Sequence, residues 1–224
     1  MIRLVDVVLT LMALIVLSPM LLIVMVILKC TGEHEIFYMQ DRLGYNNKSF
    51  KLVKFATMLK MSSSMSLGTI TIRNDPRVLP FGKFLRVSKI NEIPQLINVL
   101  KGDMSLIGPR PQTKSCFDAF PDKSKERLLS VKPGLSGVGS IFFRDEQEML
   151  DGSGYPQKIY EDMIMPYKAD LEIWFIQNRS FKLYLLLIFL TLAVILKPSF
   201  RWHRYLSDIP KPPKSITDLR NNLT

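Results

Sequence analysis

The chain has 224 residues, of which 47% are hydrophobic and 22% charged, and its formal net charge at pH 7 is +10. This composition excludes collagen-like, mucin-like and wholly disordered proteins, and the length fits one domain with appended segments. The two cysteines, Cys30 and Cys116, form no metal or redox motif, and the two histidines, His34 and His203, argue strongly against zinc hydrolysis or a Ser-His-Asp triad. Any catalysis must use carboxylates, basic groups and at most a hard metal ion.

The first predicted element is a membrane-embedded helix. A run of 22 residues without a charge begins at Val7, and a straight helix of that length would be about 33 Å long, enough to cross a bilayer. Ser18 and Pro19 interrupt the run, and a proline inside a helix removes a hydrogen bond and forces a kink. Because Arg3 and Lys29 flank both ends, charge does not orient a full crossing. We therefore expect the segment to enter and leave the same membrane face, with a kinked single span as the alternative.

A small β-hairpin is predicted next. Residues 32–44 and 50–58 have the pattern of two short strands, and the polar stretch 61–68 is typical of a loop. Nine basic residues and one acidic residue between Lys48 and Lys89 supply most of the net charge. Anionic lipid headgroups, a phosphorylated substrate or a simply solvated basic face would explain this charge. Nucleic acid is the least favoured partner, because the stretch has no recognised nucleic-acid-binding fold and no aromatic ladder.

Residues 90–101 predict a helix, because their apolar side chains fall at helical spacing. Asn91 is a favourable N-cap, Pro94 is tolerated in the first turn, and Gly102 is placed to end the helix. Asn91 and Glu92 would then lie at a helix N-terminus, where anions bind and where a carboxylate can hold a divalent cation against a diphosphate. Ordinary helix capping explains the same two residues without any function.

The motif Gly108-Pro-Arg-Pro111 is of a different kind. Its two prolines fix the backbone around Arg110, and a rigid guanidinium group is suited to bidentate recognition of phosphate. The same arrangement also occurs in plain turns, so the motif alone favours neither interpretation.

The C-terminal part begins with a second uncharged run of 14 residues, Leu183 to Leu196. This run is short for a membrane span, and a shallow or partly buried helix is one interpretation. The Pro-, Lys- and Asn-rich residues that follow predict a flexible tail.

Taken together, these pieces resemble the bacterial sugar transferases that move a sugar phosphate from a nucleotide sugar to a polyprenyl phosphate, the monotopic phosphoglycosyl transferases. The resemblance extends from about residue 1 to residue 196. The matching motifs are, in order, Ser18-Pro19, Gln40-x-Arg42-x-Gly44, Lys54-Phe55, Asn74-Asp-Pro-Arg77, Gly82-x-x-Leu-Arg86, Glu92-x-Pro-Gln-Leu96, Asn98 to Ser105, Gly108 to Pro111 and Pro133-Gly-x-x-Gly137. Each motif is weak by itself, but their order and spacing make the match specific.

The resemblance implies a mainly α monotopic membrane protein with a small β-hairpin, an N-terminal re-entrant helix and membrane-surface helices. The implied segments are a re-entrant helix over 1–30, a catalytic domain over 31–180, a membrane-associated helix over 181–197 and a flexible tail over 198–224. It further implies a bacterial inner membrane protein with its active site on the cytoplasmic face. The implied cofactor is Mg²⁺, and the implied partners are a UDP-sugar, undecaprenyl phosphate and the lipid bilayer.

The resemblance also implies an Asp-Glu pair whose aspartate attacks the β-phosphate, expels UMP and carries the phosphosugar. Here the pair falls on Asn91 and Glu92, and an amide is a poor phosphoryl nucleophile. In a natural branch of the family, Glu92, Asp103 or the lipid phosphate itself could replace the missing aspartate. An engineered Asp-to-Asn change or a pseudoenzyme would also account for the amide at this position. Glu92 is also the expected metal ligand.

Further site residues follow from the resemblance. Five are expected to bind substrate, namely Lys54, Arg86, Arg110, Arg144 and Asp170. Without the resemblance, Asp170 would be an exposed helix residue and Asp103 part of a solvated turn. The chain departs from the family pattern at Ala56 and Val138 as well, where the family has arginine and tryptophan. Several departures together indicate a divergent branch more than a single engineered change.

The sequence therefore predicts a transferase that moves a sugar-1-phosphate from a UDP-sugar to undecaprenyl phosphate in the first membrane step of glycan assembly, for capsule, O-antigen, exopolysaccharide or glycoprotein. The alternative is a catalytically impaired scaffold that binds nucleotide sugar. Downstream glycosyltransferases and a second copy of the chain are candidate partners, and nucleic acid is not. The transferred sugar is not encoded in any recognisable motif.

Overall fold

The computed structural model describes residues 1–63, 75–150, 156–197 and 199–221 of the chain. The α-helices are α1 Ile2–Cys30, α2 Pro80–Val87, α3 Leu96–Lys101, α4 Lys114–Asp118, α5 Asp122–Leu129, α6 Val138–Phe142, α7 Glu146–Leu150, α8 Pro156–Ile159, α9 Met165–Gln177, α10 Phe181–Leu196 and α11 Lys214–Asn221. The strands are β1 Phe37–Leu43, β2 Ser49–Phe55, β3 Ser105–Ile107 and β4 Gly134–Ser136. Shorter segments are the 3₁₀ turns Tyr45–Asn47, Lys60–Ser63, Ile90–Gln95 and Trp202–Arg204, and the π-helical segment Tyr160–Ile164 between α8 and α9. The prediction of a mainly helical chain with a small β-hairpin is confirmed.

The hairpin consists of β1 and β2, which pair antiparallel with Phe37 opposite Phe55. The turn between them contains two residues with positive φ, Asn46 and Asn47, and asparagine tolerates this left-handed conformation better than most residues. The rings of Phe37 and Phe55 stack with their centroids 5.6 Å apart. The second strand ends at Phe55, three residues before the predicted boundary. Most of the predicted loop 61–68 lies outside the described residues.

A second sheet, which the sequence analysis did not predict, joins two distant motifs. Strands β3 and β4 pair in parallel, with Ser105 opposite Gly134. The approach requires glycine, because a Cβ atom on Gly134 would lie 2.1 Å from the backbone nitrogen of Gly108. This pairing brings the segment that ends in Gly108-Pro-Arg-Pro111 against the Pro133-Gly134 motif.

Helix α1 is continuous through the predicted break. Pro19 cannot donate a backbone hydrogen bond to the carbonyl group of Ile15, four residues earlier. The Ser18 hydroxyl donates to that carbonyl oxygen at 2.8 Å and so satisfies the acceptor that Pro19 leaves free. The helix runs as one element of 29 residues with Pro19 inside it, and the kink and re-entrant course expected at Ser18-Pro19 stay predictions. By length and composition, α1 is able to cross a membrane.

The N-terminal end of α1 is fastened to the rest of the protein by polar contacts. Arg3 donates to two carbonyl groups at the C-terminal end of α3, at 2.5 and 2.7 Å. Asp6 is buried and accepts hydrogen bonds from the Ser105 hydroxyl at 2.9 Å, from the Leu106 backbone at 3.0 Å and from the Tyr184 hydroxyl. These contacts fix the start of α1 against β3 and α10.

The C-terminal end of α1 is held by apolar packing. Val24 and Leu28 form a buried cluster with Phe55 of β2 and Leu85 of α2. Both ends of the helix therefore contact the same folded body, while apolar side chains along its other face are exposed, among them Leu11, Met12, Ile15, Val16, Leu22, Ile23 and Val26.

The main core contains α6, α9 and α10. On α10, Tyr184, Leu187, Leu190 and Val194 are buried, and other apolar residues of this helix are exposed. A partly buried helix, one of the interpretations of this run, is thus what the structure contains, and its membrane association stays a prediction.

The residues after α10 do not form the flexible tail that the composition predicts. Trp202, Leu206 and Ile216 are buried in the main core, and the Tyr167 hydroxyl donates to the carbonyl oxygen of Pro210 at 2.7 Å. The prediction was wrong because three bulky apolar side chains, widely spaced in a polar stretch, together cover the side of the core near α9.

The buried contacts of Asp6 give a first prediction. The substitution Asp6→Ala should lower the free energy of unfolding by on the order of 3 kcal/mol, because it leaves buried donors of Ser105, Leu106 and Tyr184 without their acceptor. Thermal unfolding of the detergent-solubilised protein measures this. Leu4→Ala is the matched control on the same helix, because Leu4 is 68% exposed. Equal losses in the two variants would contradict the anchoring role of Asp6.

Candidate active site

A cavity of about 980 Å³ lies between α1 and the rest of the protein. One wall is apolar and includes Leu9, Ala13 and Leu17 of α1 and Ile188 and Leu192 of α10. The other part is charged and contains most of the residues that the sequence analysis selected, namely Lys54, Arg86, Asn91, Glu92, Arg110 and Arg144. A single cavity therefore combines an apolar wall with a group of cations.

Glu92 lies at the centre of the charged part. Its Oε1 accepts from Lys54 Nζ at 3.1 Å and from Arg110 Nη2 at 2.6 Å, and its Oε2 accepts from Arg110 Nη1 at 3.3 Å. Burial alone would raise the pKa of Glu92, but Arg110 and Lys54 outweigh this effect and hold its pKa well below the usual range. The carboxyl group is therefore ionised, and it carries no proton that it could donate.

Lys54 reaches Glu92 from strand β2. The side chains of Lys54 and Glu92 are only 16% and 17% exposed. Burial lowers the pKa of Lys54 to about 8, and the nearby charges of Arg110 and Arg42 add to this effect, whereas Glu92 opposes it. Lys54 is thus a cation at neutral pH that titrates much earlier than an ordinary lysine.

Arg110 is positioned by the motif in which the sequence analysis identified it. Its neighbours Pro109 and Pro111 fix the backbone, and the backbone nitrogen of Gly108 donates to Ser136 at 2.9 Å, so the start of the motif is held by β4. The carboxylate of Glu92 raises the pKa of Arg110, which keeps the guanidinium charged at all accessible pH values.

Further cations line the same cavity. Arg86 comes from the last turn of α2, and burial lowers its pKa. Lys89, with a left-handed backbone at φ 60°, begins the turn that carries Asn91 and Glu92. Arg42 donates to the carbonyl oxygen of Pro111 at 3.1 Å and to the Gln40 side chain at 2.6 Å. These groups, together with Lys54 and Arg110, can neutralise several phosphate charges.

Asn91 is not the N-cap that the spacing predicts. It lies inside the 3₁₀ turn Ile90–Gln95, and α3 begins only at Leu96. The left-handed residue Lys89 starts a tighter turn, in which the Glu92 nitrogen donates to the Lys89 carbonyl oxygen at 3.1 Å. Pro94, which cannot donate a backbone hydrogen bond, lies in the same turn. The expected end of the helix at Gly102 is confirmed, with φ 90°.

Asn91 is one of the residues that line the cavity. It is 7% exposed, and its buried Oδ1 has no hydrogen-bond partner among the described residues. Glu92 follows it in the chain and also lines the cavity.

Asp103 does not belong to the cavity, so the structure gives it no catalytic role. Its Oδ2 accepts from Asn98 Nδ2 at 3.1 Å. The same amide group donates to the Lys51 carbonyl oxygen at 2.8 Å, and Asn98 Oδ1 accepts from the Val53 nitrogen at 3.0 Å. Asp103 therefore helps to hold Asn98, and Asn98 holds strand β2.

The structure places Arg144 among the residues that line the cavity, but not Asp170. Arg144 lines the cavity as expected, although its guanidinium also donates to the carbonyl oxygen of Val194 near the end of α10. Asp170 is exposed and is not among the residues that line the cavity, so its substrate contact stays a prediction. The helix α9 turns this position towards solvent, and the next acidic residue, Glu172, lies on the opposite side.

Glu172 and Lys168 are cavity residues that the sequence analysis missed. Glu172 is 4% exposed, and burial raises the pKa of its carboxyl group to about 8 even though Lys168 acts in the other direction. The nearby backbone N–H groups of Gly139 and Arg110 also lower the pKa, but they do not outweigh the burial. Lys168 pairs with Glu146 and lies over the ring of Phe143, 5.2 Å from its centroid. The sequence signal that could have identified them is their spacing, because Lys168 and Glu172 are opposite charges four residues apart in a largely apolar helix.

The residues around Asn91 fit a magnesium ion. Among the described residues no group of three or more metal-ligating side chains occurs. Magnesium is commonly bound by one or two carboxylates, with the other ligands supplied by water and a phosphate ligand. The unpartnered Oδ1 of Asn91 and the carboxylate of Glu92 are hard oxygen donors of that kind.

Comparison with known proteins identifies the family. The model of the bacterial sugar transferases matches residues 1–198, and the chain belongs to this family. The exopolysaccharide production protein ExoY of Sinorhizobium fredii is 34% identical over 155 residues, which are 63% of this chain and 68% of that protein.

Two further relatives have names that describe an activity. The UDP-glucose:undecaprenyl-phosphate glucose-1-phosphate transferase of Klebsiella pneumoniae is 33% identical over 84% of this chain and 38% of its own length. The UDP-N-acetylgalactosamine-undecaprenyl-phosphate N-acetylgalactosaminephosphotransferase of Aeromonas hydrophila is 31% identical over 85% of this chain and 42% of its own length. The chain thus spans about two fifths of these two relatives. The sequence-based resemblance to the family is confirmed.

The lowered pKa of Lys54 predicts how anion binding changes with pH. The affinity for pyrophosphate should fall as the pH rises through about 8, because the free protein then loses the Lys54 charge. Lys54→Arg keeps a charge that does not titrate, so the affinity ratio of wild type to this variant should decrease between pH 7 and 9.5. Calorimetric titration of both proteins measures the ratio and cancels the titration of pyrophosphate itself. A ratio independent of pH would contradict the assignment.

The raised pKa of Glu172 predicts a pH-dependent stability. Because the folded protein favours the protonated carboxyl group, the contribution of Glu172 is most favourable below the ordinary pKa of 4.5 and is lost as the pH rises to about 8. Glu172→Gln resembles the protonated form, so it should become progressively more stable than the wild type across this interval. Thermal unfolding at several pH values measures the difference. A constant difference between pH 4.5 and 8 would show that Glu172 does not titrate there.

Proposed function

We propose that the chain is a membrane-bound transferase that moves a sugar-1-phosphate from a UDP-sugar to undecaprenyl phosphate and releases UMP. The observation that carries the proposal is the cavity, in which the cations around Glu92 adjoin the apolar wall of α1 and α10. The names of the relatives from Klebsiella pneumoniae and Aeromonas hydrophila support this reaction. The same reaction begins the assembly of a membrane-linked glycan.

The charged part of the cavity would bind the diphosphate of the UDP-sugar. Lys54, Arg86 and Arg110 come from three different segments and line this part. Cations in a space with little water stabilise the charge that develops on phosphoryl oxygens more strongly than they would in water. Glu92 holds Lys54 and Arg110 in place through direct ion pairs, so these two cations are preorganised before substrate binds.

Glu92 and Asn91 would hold a magnesium ion together with the diphosphate. When bound, the ion would supply further neutralisation of the phosphoryl oxygens.

The apolar wall would bind the polyprenyl chain of the lipid substrate. The exposed apolar face of α1, and exposed Phe84 and Val87 on α2, support a membrane position for this side of the protein. Both ends of α1 contact the same body, which supports a helix that enters and leaves one membrane face. We place that face on the cytoplasmic side of the bacterial inner membrane, where nucleotide sugars are available.

A catalytically impaired scaffold is the other candidate, and Asn91 is the observation that favours it. The sugar, the glycan pathway and any contact with downstream glycosyltransferases or with a second copy are parts of the proposal that the site itself does not specify.

The role of Glu92 provides the test. In the presence of Mg²⁺ and undecaprenyl phosphate, Glu92→Gln should reduce UMP release from a UDP-sugar by at least about 100-fold, because Lys54 and Arg110 lose the charge that orients them. The assay uses UDP-glucose, UDP-galactose and UDP-N-acetylgalactosamine. Glu126→Gln is the matched control, because Glu126 is exposed on α5 and outside the cavity. Absence of UMP release from all three UDP-sugars in the wild type would favour the scaffold.

A further inference from the structure

Because position 91 is an amide, the group that attacks the β-phosphate has to be inferred from the other residues that line the cavity. A transferase that first attaches the phosphosugar to itself needs a side-chain nucleophile next to the β-phosphate. Asn91 lines the cavity, but an uncharged amide is a poor nucleophile towards phosphorus. A covalent route would therefore require another nucleophilic side chain among the residues that line the cavity, and a carboxylate is the first candidate.

Three carboxyl groups line the described part of the cavity, and Glu92 is the one beside Asn91. Both of its oxygen atoms already accept hydrogen bonds from cations, Oε1 from Lys54 and Arg110 and Oε2 from Arg110. These bonds occupy three of the roughly four acceptor positions of the carboxylate and disperse the charge that an attacking carboxylate must use. Glu92 is thus arranged to position cations, and not to attack phosphorus.

The other two carboxyl groups are no better suited. Glu146 is paired with Lys168. Glu172 is protonated at neutral pH, because burial raises the pKa of its carboxyl group to about 8. Asp103, the remaining carboxylate that the sequence offered, is outside the cavity and bonded to Asn98. Within the part of the chain that the structure describes, the cavity offers no free ionised carboxylate.

The shape of the cavity permits both substrates to be bound at the same time. Its volume of about 980 Å³ includes the apolar wall of α1 and α10 and the charged part around Glu92 in one space. Besides Lys54 and Arg110, five more basic residues line it, namely Arg42, Arg86, Lys89, Arg144 and Lys168, of which Lys168 is paired with Glu146. These are enough to face three phosphate groups, two from the UDP-sugar and one from the lipid.

We propose, on the basis of the function above, that this protein transfers the phosphosugar in a single displacement, in which the lipid phosphate attacks the UDP-sugar directly. A lone pair of a lipid phosphate oxygen forms the new bond to the β-phosphorus. The bond between the β-phosphorus and the bridging oxygen breaks, and UMP leaves with that electron pair. No proton has to be transferred, and no phosphosugar is attached to the protein.

Exchange of labelled UMP tests this proposal. A covalent phosphosugar on the enzyme is formed reversibly with UMP release, so it would exchange labelled UMP into the UDP-sugar without lipid. We expect no exchange above background for the wild type in UDP-glucose, UDP-galactose or UDP-N-acetylgalactosamine without lipid, in a sample that turns over one of them with undecaprenyl phosphate. The thiol of Cys116 also lines the cavity, and attack by it would appear in the same assay. Exchange in the wild type overturns the proposal.

Initial rates and the variant Asn91→Asp provide the second measurement. A single displacement needs both substrates bound together, so double-reciprocal plots at varied UDP-sugar and lipid should intersect; parallel lines would overturn the proposal. Asn91→Asp places a carboxylate beside the same cations and should gain lipid-independent UMP exchange. An active Asn91→Asp variant without exchange would show that position 91 does not decide the route, which contradicts the argument.

These outcomes separate the two proposals. Lipid-dependent turnover together with exchange retains the transferase and rejects the single displacement. Absence of turnover with every UDP-sugar, in wild type and Asn91→Asp alike, rejects the proposed function and with it the displacement.

Discussion

A carboxylate that is largely shielded from water stays ionised only where cations neutralise it, and Glu92 meets this condition through Lys54 and Arg110. Lys54 belongs to the hairpin and Arg110 to the loop after β3, so the ion pairs connect three segments that are distant in the chain. Removal of Glu92 would leave the charges of Lys54 and Arg110 uncompensated in the cavity, which costs stability. The positions of Lys54 and Arg110, and therefore the proposed binding of phosphate, depend on their ion pairs with Glu92.

The other half of the cavity depends on how α1 is attached. Arg3 and Asp6 hold one end of the helix by polar bonds, and Val24 and Leu28 hold the other end by packing. The middle of α1 is left as a wall of the cavity. A single apolar helix thus serves two purposes, because one face closes the site and the other face is available to lipid.

The residues after α10 pack against the main core near α9. The family match ends at residue 198, yet Trp202, Leu206 and Ile216 are buried against the main core. The core includes α9, which carries Glu172 and Lys168 into the cavity. The described residues after α10 therefore pack against the core that contains α9, and none of them lines the cavity.

The sequence by itself determined the features that rest on local patterns. Helix α1, the hairpin, the end of α3 at Gly102 and the family follow from apolar runs, alternation, turn residues and ordered motifs, because these act over a few neighbouring residues. Of the residues selected as catalytic or substrate-binding, Asn91, Glu92, Lys54, Arg86, Arg110 and Arg144 line the cavity, and Asp103 and Asp170 do not. The spacing of acidic residues in the sequence does not say which of them face a cavity. Only the tertiary structure decided that Glu172, and not Asp170, lines the cavity, that β3 pairs with β4, and that the residues after α10 pack on the core. Each of these features depends on contacts between residues far apart in the chain.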